Sequence, residues 1–433
     1  MTRCLLTISE QDADTAIAAS TYDEVFLWSR SAKSTFTGSL SPYLDELGPI
    51  NPRNVDLVRS ALGVLAADRS VLRERGGSSW NTREFELTTQ VNDPIVWTAA
   101  ANDLARMLCF LSGDRWTLSF TQGPSDDIEP VPIEDASYQR TVLLSGGADS
   151  AAGALISALQ LDDGGSQALV SQYSSTVLSP IQQGLVKAIE RRVPKVAQIH
   201  HQFRLNRGSK RLDGTSYRDE SSTRSRSLLF LALGLAVAAR AKTPLWIAEN
   251  GFASLNPPLG ADRRGALSTH TTHPRFLRDL QTLVSSVGGL GHIENPFEAM
   301  TKGEMFALVA SKIGADAASD YLSSTNSCSH TDARYSGAPP GSSCGVCFGC
   351  LVRRASFAAA DVPDRTTYLC DDVTGKFASF VRQKSIIEPM RDFAMRGTRP
   401  RDVMAMSLPA DYAAVDALGL CQRGTAELRS FLA

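Results

Sequence analysis

Residues 145–150 read Ser-Gly-Gly-Ala-Asp-Ser and follow the short apolar run Thr141 to Leu144. A buried strand that stops at two glycines and turns into a helix makes an anion site. Glycine lets backbone N–H groups approach oxygen atoms closely, and the helix dipole adds partial positive charge. Ser145, Gly146 and Gly147 would cradle pyrophosphate oxygens, and Ser150 would add a hydroxyl at the helix opening. Asp149 falls in the first helical turn, where a carboxylate holds Mg²⁺, orders the loop or caps the helix. Lys302, in Thr301-Lys302-Gly303-Glu304-Met305, begins a helix, where a cation is unfavourable unless an anion lies nearby. An exposed first-turn lysine is its plain alternative. No Gly-Lys-Ser/Thr follows the glycines, so this is not a Walker A loop.

A second group is Cys328, Cys344, Cys347 and Cys350, four of the eight cysteines gathered into 23 positions. Four thiolates separated by short spacers suit a closed, tetrahedral, structural zinc site, and clustered cysteines favour metal over disulfide here. An iron–sulfur cluster is the other occupant such a set can hold. Gly345 and Gly349 relieve the tight turns of the knuckle. A third stretch, Glu249 to Leu259, mixes amide, carboxylate and aromatic groups after a buried strand. There Glu249, Asn250 and Asn256 would read the edge of a planar heterocycle while Phe252 stacks on its face. The polar run Ser268 to Pro274 offers Thr272 to the same ligand, or Thr272 or His273 caps the next helix. A fourth stretch, Arg204 to Arg226, holds seven Lys/Arg against three acidic residues. It reads as a solvated loop, with Arg224 and Arg226 as the residues to place near a nucleotide.

The elements that must position these groups follow from the apolar pattern. Hydrophobic content of 43% and charged content of 21% are those of a globular chain, and 433 residues allow two or three domains. The net charge of −2 argues against broad nucleic-acid binding, and no window approaches the ~18 apolar residues of a membrane span. With no sustained apolar stretch at the start, a cytoplasmic location is the default. Residues 1–138 read as an α+β accessory domain. In it Cys4 to Ile8, Glu24 to Trp28, Glu84 to Leu87 and Trp116 to Phe120 are strand-like, and Val55 to Ala66 and Ile95 to Leu111 are helical. The composition of residues 123–132 is that of a linker. Residues 139–327 alternate strand and helix: strands at Thr141 to Leu144, Ala168 to Tyr173, Ala197 to His201 and Pro244 to Glu249; helices at Ala151 to Leu161, Pro180 to Arg192 and Ser221 to Ala241. That alternation predicts an α/β fold with a parallel sheet, whose ligands bind beyond the carboxyl ends of the strands. Residues 328–361 form the four-cysteine knuckle and residues 362–433 a helical cap.

The order Ser-Gly-Gly-x-Asp-Ser resembles the PP-loop of the ATP pyrophosphatase superfamily, whose adenine nucleotide alpha hydrolase-like domain splits ATP between its α- and β-phosphates. Together with Thr301-Lys302-Gly303-Glu304 and Cys-x2-Cys-x2-Cys followed by Arg353, it is similar to the QueC (7-cyano-7-deazaguanine synthase) family over residues 140 to 360. That family makes 7-cyano-7-deazaguanine from 7-carboxy-7-deazaguanine, ATP and ammonia. The resemblance implies zinc on Cys328, Cys344, Cys347 and Cys350. It also implies ATP with Mg²⁺ on Ser145, Gly146, Gly147, Asp149 and Ser150, with Lys302 nearby. A plain member is about half this length. The runs Glu249 to Asn256 and Leu267 to Pro274 look closer to the QueC-like proteins of bacterial antiphage systems, such as QatC. In that setting the activated carboxylate is joined to a partner protein's terminal amine.

Competing readings remain open on the sequence: a free synthase using ammonia, a tRNA thiolase or amidotransferase-type synthetase on the same fold, or a nucleotide-binding sensor without turnover. Thiolation would want a cysteine pair near the loop, and residues 139–327 contain no cysteine. A synthetase would want a glutaminase nucleophile that residues 1–138 do not show.

Overall fold

Period-two and continuous apolar runs become ten strands in two sheets of a computed structural model, which describes residues 1–73, 82–124, 137–173, 177–257 and 270–433. The expected linker (123–132) lies almost wholly outside the described residues, as do Ser268 and Thr269. Strands β1 (Thr2–Thr7), β2 (Glu24–Leu27), β3 (Phe36–Gly38), β4 (Glu84–Val91), β5 (Arg115–Gln122), β6 (Arg140–Leu143), β7 (Ser166–Tyr173), β8 (Ala197–Arg207), β9 (Pro244–Trp246) and β10 (His292–Glu294) follow chain order. One sheet, β2-β1-β4-β5, is parallel throughout. The other, β10-β9-β6-β7-β8-β3, is mostly parallel, with β3 antiparallel to β8. The expected α/β class is the observed one.

Two compact units are each assembled from three stretches of chain. The first comprises Met1–Thr141, His201–Leu245 and Gly265–Ile293. Its interior carries a buried ionic network. Arg83 donates to Asp68 and to Asp114 (2.7 Å), and Arg73 pairs with Asp114 at 2.8 Å. Asp68 also accepts from the backbone N–H groups of Arg224 (2.8 Å) and Ser225 (3.0 Å). These bonds hold residues 224–225 outside the helix, so it runs Arg226–Ala241 and not from Ser221 as the pattern predicts. The segment read as a solvated basic loop is likewise tied down: Arg207 donates to Asp219, and Arg211 to both oxygens of Glu24.

The second unit comprises Val142–His200, Trp246–Arg264 and Glu294–Ala433. Helix Ala148–Leu159 is almost wholly apolar and small, which lets it sink into the core with Val142, Leu169, Ile189, Phe306 and Tyr321. It begins at Ala148, three residues before the expected start, so Asp149 and Ser150 lie in its first turn. A second core joins Phe252, Leu351, Met390 and Phe393 to Leu420 and Leu428 of the last helix, Ala414–Leu432. Among the described residues no helix is long and apolar enough to cross a membrane.

Candidate functional site

The loop after β6 is built as its residue types require. Gly146 takes φ +97°, a left-handed value that a side chain would strain, and Gly147 caps the helix Ala148–Leu159. Ser150 locks the turn: its hydroxyl donates to Gly147 O (3.0 Å) and accepts from Ser145 N (3.1 Å), and it lies 2.9 Å from Ser145 Oγ. Gln182 Nε2 donates to Ser145 O (3.1 Å) and Asn326 N to Gly146 O (2.9 Å), so the carbonyls turn back into the protein. The first-turn N–H groups of a helix have no partner within it, which leaves this turn suited to an anion.

The loop opens on a pocket of about 220 Å³, lined by Ser145, Gly147, Asp149 and Ser150 on one side and by Glu249, Lys302 and Ser327 among the others. Lys302 Nζ donates to Asp149 Oδ2 at 2.7 Å, with both side chains about nine-tenths buried. The anion that its position in the helix called for is therefore Asp149. A capping box between Thr301 and Glu304 starts the helix Lys302–Ile313 and fixes the backbone of the lysine. Asn250 Nδ2 bridges Asp149 Oδ1 and Glu249 Oε1, each at 3.3 Å, while its Oδ1 caps the short helix Gly251–Ser254 through Ala253 N. Asn295 holds the backbone of Glu249, donating Nδ2 to its carbonyl at 2.9 Å. Burial and the neighbouring Asp149 carboxylate hold the Glu249 carboxyl well above the usual carboxylate range, against the opposing pull of Lys302. One lysine thus faces two carboxyl groups, Asp149 and Glu249, in a single buried cluster. Such a site can bind anionic oxygens, hold a divalent cation and move a proton.

Of the remaining residues expected here, Phe252 is 2% exposed and packs in the core against Gly424, so its ring fills the interior and does not line the pocket. Asn256 follows the short helix with φ +51° and is not among the lining residues. Arg226 is exposed at the first position of the helix Arg226–Ala241 in the first unit. Arg224, in the same unit, is buried and donates to Ser112 O at 3.0 Å. Thr272 belongs to the first unit too, and the cap of the next helix falls to His273, whose Nδ1 accepts from Arg275 N at 3.1 Å. Ser327, Phe348 and Val352 line the pocket without any motif signal in the sequence, and Gly349, expected only as a turn of the knuckle, lines it with them. Among the described residues the buried Ser327 hydroxyl has no hydrogen-bond partner, and its only sequence signal is adjacency to Cys328.

The four cysteine sulfurs lie within 4.8 Å of one another, with Cys328–Cys347 and Cys344–Cys350 each at 3.9 Å. Four sulfurs at ~2.3 Å from one tetrahedral ion would be about 3.8 Å apart, so the set fits a single ion with no ligand position left for water. Backbone N–H groups of His330 (3.4 Å, to Cys328), Cys344 (3.4 Å, to Cys328) and Cys347 (3.3 Å, to Cys344) point at the sulfurs and favour thiolates. Gly345 turns the knuckle at φ +84°, with Cys370 Sγ against its Cα where a side chain would go. Arg353, buried one turn further on, donates to Thr325 O and Leu322 O (2.8 Å each) and clamps the approach to the knuckle.

No protein-family model matches the chain. The 7-cyano-7-deazaguanine synthase of Ralstonia nicotianae is 34% identical over 145 residues, covering 34% of this chain and 56% of the relative. The 7-cyano-7-deazaguanine synthase 1 of Sphingopyxis alaskensis is 32% identical over 148 residues, covering 33% and 57%. That of Cupriavidus metallidurans is 38% identical over 92 residues, covering 21% and 35%. The chain thus spans between about a third and just over half of the length of these relatives, and over that stretch it is similar to them.

Proposed function

We propose that the pocket binds ATP, with the diphosphate against Ser145, Gly146, Gly147 and Ser150, and adenylates the carboxylate of 7-carboxy-7-deazaguanine. The carboxylate oxygen attacks the α-phosphorus as the bond to the β-phosphate oxygen breaks, so pyrophosphate leaves and an acyl-adenylate forms. A nitrogen nucleophile then attacks the acyl carbon and AMP departs. Departing pyrophosphate concentrates negative charge, so the demand on the protein is electrostatic. The loop amides and Lys302 answer it. Asp149 and Glu249 are the carboxyl groups that would hold Mg²⁺, which supplies further charge neutralisation. Positioning supplies much of the rest. Zinc on the four cysteines would be structural, holding the wall that carries Ser327, Phe348 and Gly349.

The observation that carries this reading is one pocket shared by a glycine loop at a helix start and the Asp149–Lys302 pair. Incubation with ATP, 7-carboxy-7-deazaguanine and a nitrogen nucleophile should give AMP and pyrophosphate in equal amounts. Formation of ADP and phosphate, or no turnover by folded zinc-loaded protein, would leave a sensor or another nucleotide reaction.

For the acceptor we favour a partner protein's terminal amine in an antiphage system of the cytoplasm, with ammonia as the second reading. Its support is the likeness of Glu249 to Asn256 to defence-associated relatives, and the two thirds of the chain that the synthases do not match. Mass spectrometry of co-expressed proteins would show an added deazaguanine. Free nitrile in ammonium buffer, with no protein adduct, would favour the synthase.

A further inference from the structure

The charged end of the pocket is braced from behind by the last helix. We infer that Glu427, on the helix Ala414–Leu432, is a positioning residue that sets Lys302 against Asp149. Its Oε1 accepts from Thr301 Oγ1 and its Oε2 from Gly303 N at 3.2 Å, so one side chain holds the residues on both sides of the lysine. The fit depends on glycine: a Cβ at Gly303 would lie 2.6 Å from Glu427 Oε1. One turn earlier, Arg423 donates Nε to Glu304 Oε1 (2.7 Å) and Nη2 to Ala299 O (2.8 Å). Residues four apart on a helix share a face, so Arg423 and Glu427 grip the start of Lys302–Ile313 together. The same helix supports the other half of the charge cluster. Gly424 lies against the Phe252 ring and Leu420 against Gly251, the residues directly after Glu249 and Asn250.

Glu427 does not line the pocket. Its effect therefore runs through the backbone of Lys302. The Lys302 side chain is nine-tenths buried where it meets Asp149 at 2.7 Å, so its packed stem has little room to make good a displacement of its Cα. The role in turnover rests on the ATP reading above; the structural part does not.

The test uses the full chain with Glu427→Gln and Glu427→Ala, each first checked for parental melting and zinc content. Limiting acetic anhydride labels lysines by accessibility, and mass spectrometry gives Lys302 relative to the exposed Lys195. Lys302 labelling should rise severalfold in Glu427→Ala and less in Glu427→Gln. Pyrophosphate release should lose roughly 10- to 100-fold in kcat. KM for the carboxylate substrate should stay within about twofold, and the loss should vanish in a Lys302→Ala background. Unchanged labelling in a folded variant overturns the inference, whatever turnover does; should Glu427→Ala not fold, Glu427→Gln decides. Raised labelling in a protein that releases no pyrophosphate upholds the positioning role and overturns the ATP reading instead.

Discussion

Asp149 answers to Lys302, Asn250 and Glu249 at once, and substitutions there separate its roles. Asp149→Ala is expected to abolish pyrophosphate release and to lower the melting temperature. Removing one partner of a buried pair leaves an uncompensated charge and costs about 3–5 kcal/mol. Asp149→Asn keeps the shape and should lose turnover with a smaller drop in melting temperature. A second prediction follows from protons. Burial pushes Glu427 up to about 6 from an ordinary 4.5, despite the bonds from Thr301 and Gly303. A carboxyl raised on folding contributes stability that is full below pH 4.5 and fades as the pH climbs through 6. Urea unfolding should therefore show parent minus Glu427→Gln falling by about 1–2 kcal/mol between pH 4.5 and 7. A flat difference would contradict the shift. At this scale the sequence was informative where residue type conflicted with position: a lysine opening a helix needs an anion, and Asp149 supplies it. It was uninformative for Phe252, because an aromatic residue beside polar ones has the same pattern whether it faces ligand or core.

At the scale of elements, the cysteine spacing was legible because geometry leaves few alternatives to a metal for four clustered thiols. Cys347→Ser is expected to lose bound zinc and soluble yield together, since metal affinity here is folding energy; metal analysis and gel filtration would show it. Gly345→Ala should do the same in milder form, because its φ of +84° and the nearby Cys370 Sγ leave no place for a methyl group. Helix ends were less legible. The start at Arg226 is set by Asp68, a residue more than 150 positions away that captures the preceding N–H groups. The last helix was visible in its periodicity, but its function was not. What Arg423 and Glu427 grip depends on which helix start lies opposite them, and amphipathic spacing carries no such information.

Across the whole molecule, alternation of strand and helix gave the fold class, while the short strands Phe36–Gly38 and His292–Glu294 escaped notice because three residues hold no period. Nor does local pattern reveal that each compact unit gathers three separate stretches. A consequence can be measured. Deleting residues 1–138 removes Asp68 and Asp114 from a network that still contains buried Arg224, so the shortened chain should aggregate on expression. A monodisperse, helical product in gel filtration and circular dichroism would show otherwise.

Synthesis order gives the interleaved layout a temporal meaning. The glycine turn at Ser145 leaves the ribosome early, yet Lys302, the thiolate wall and Glu427 follow only more than 150 residues later. A nascent chain therefore carries the glycine turn with neither the Lys302 counter-charge nor the Glu427 brace, and on the proposed ATP reading its turnover would reach full rate only after residue 427 has emerged.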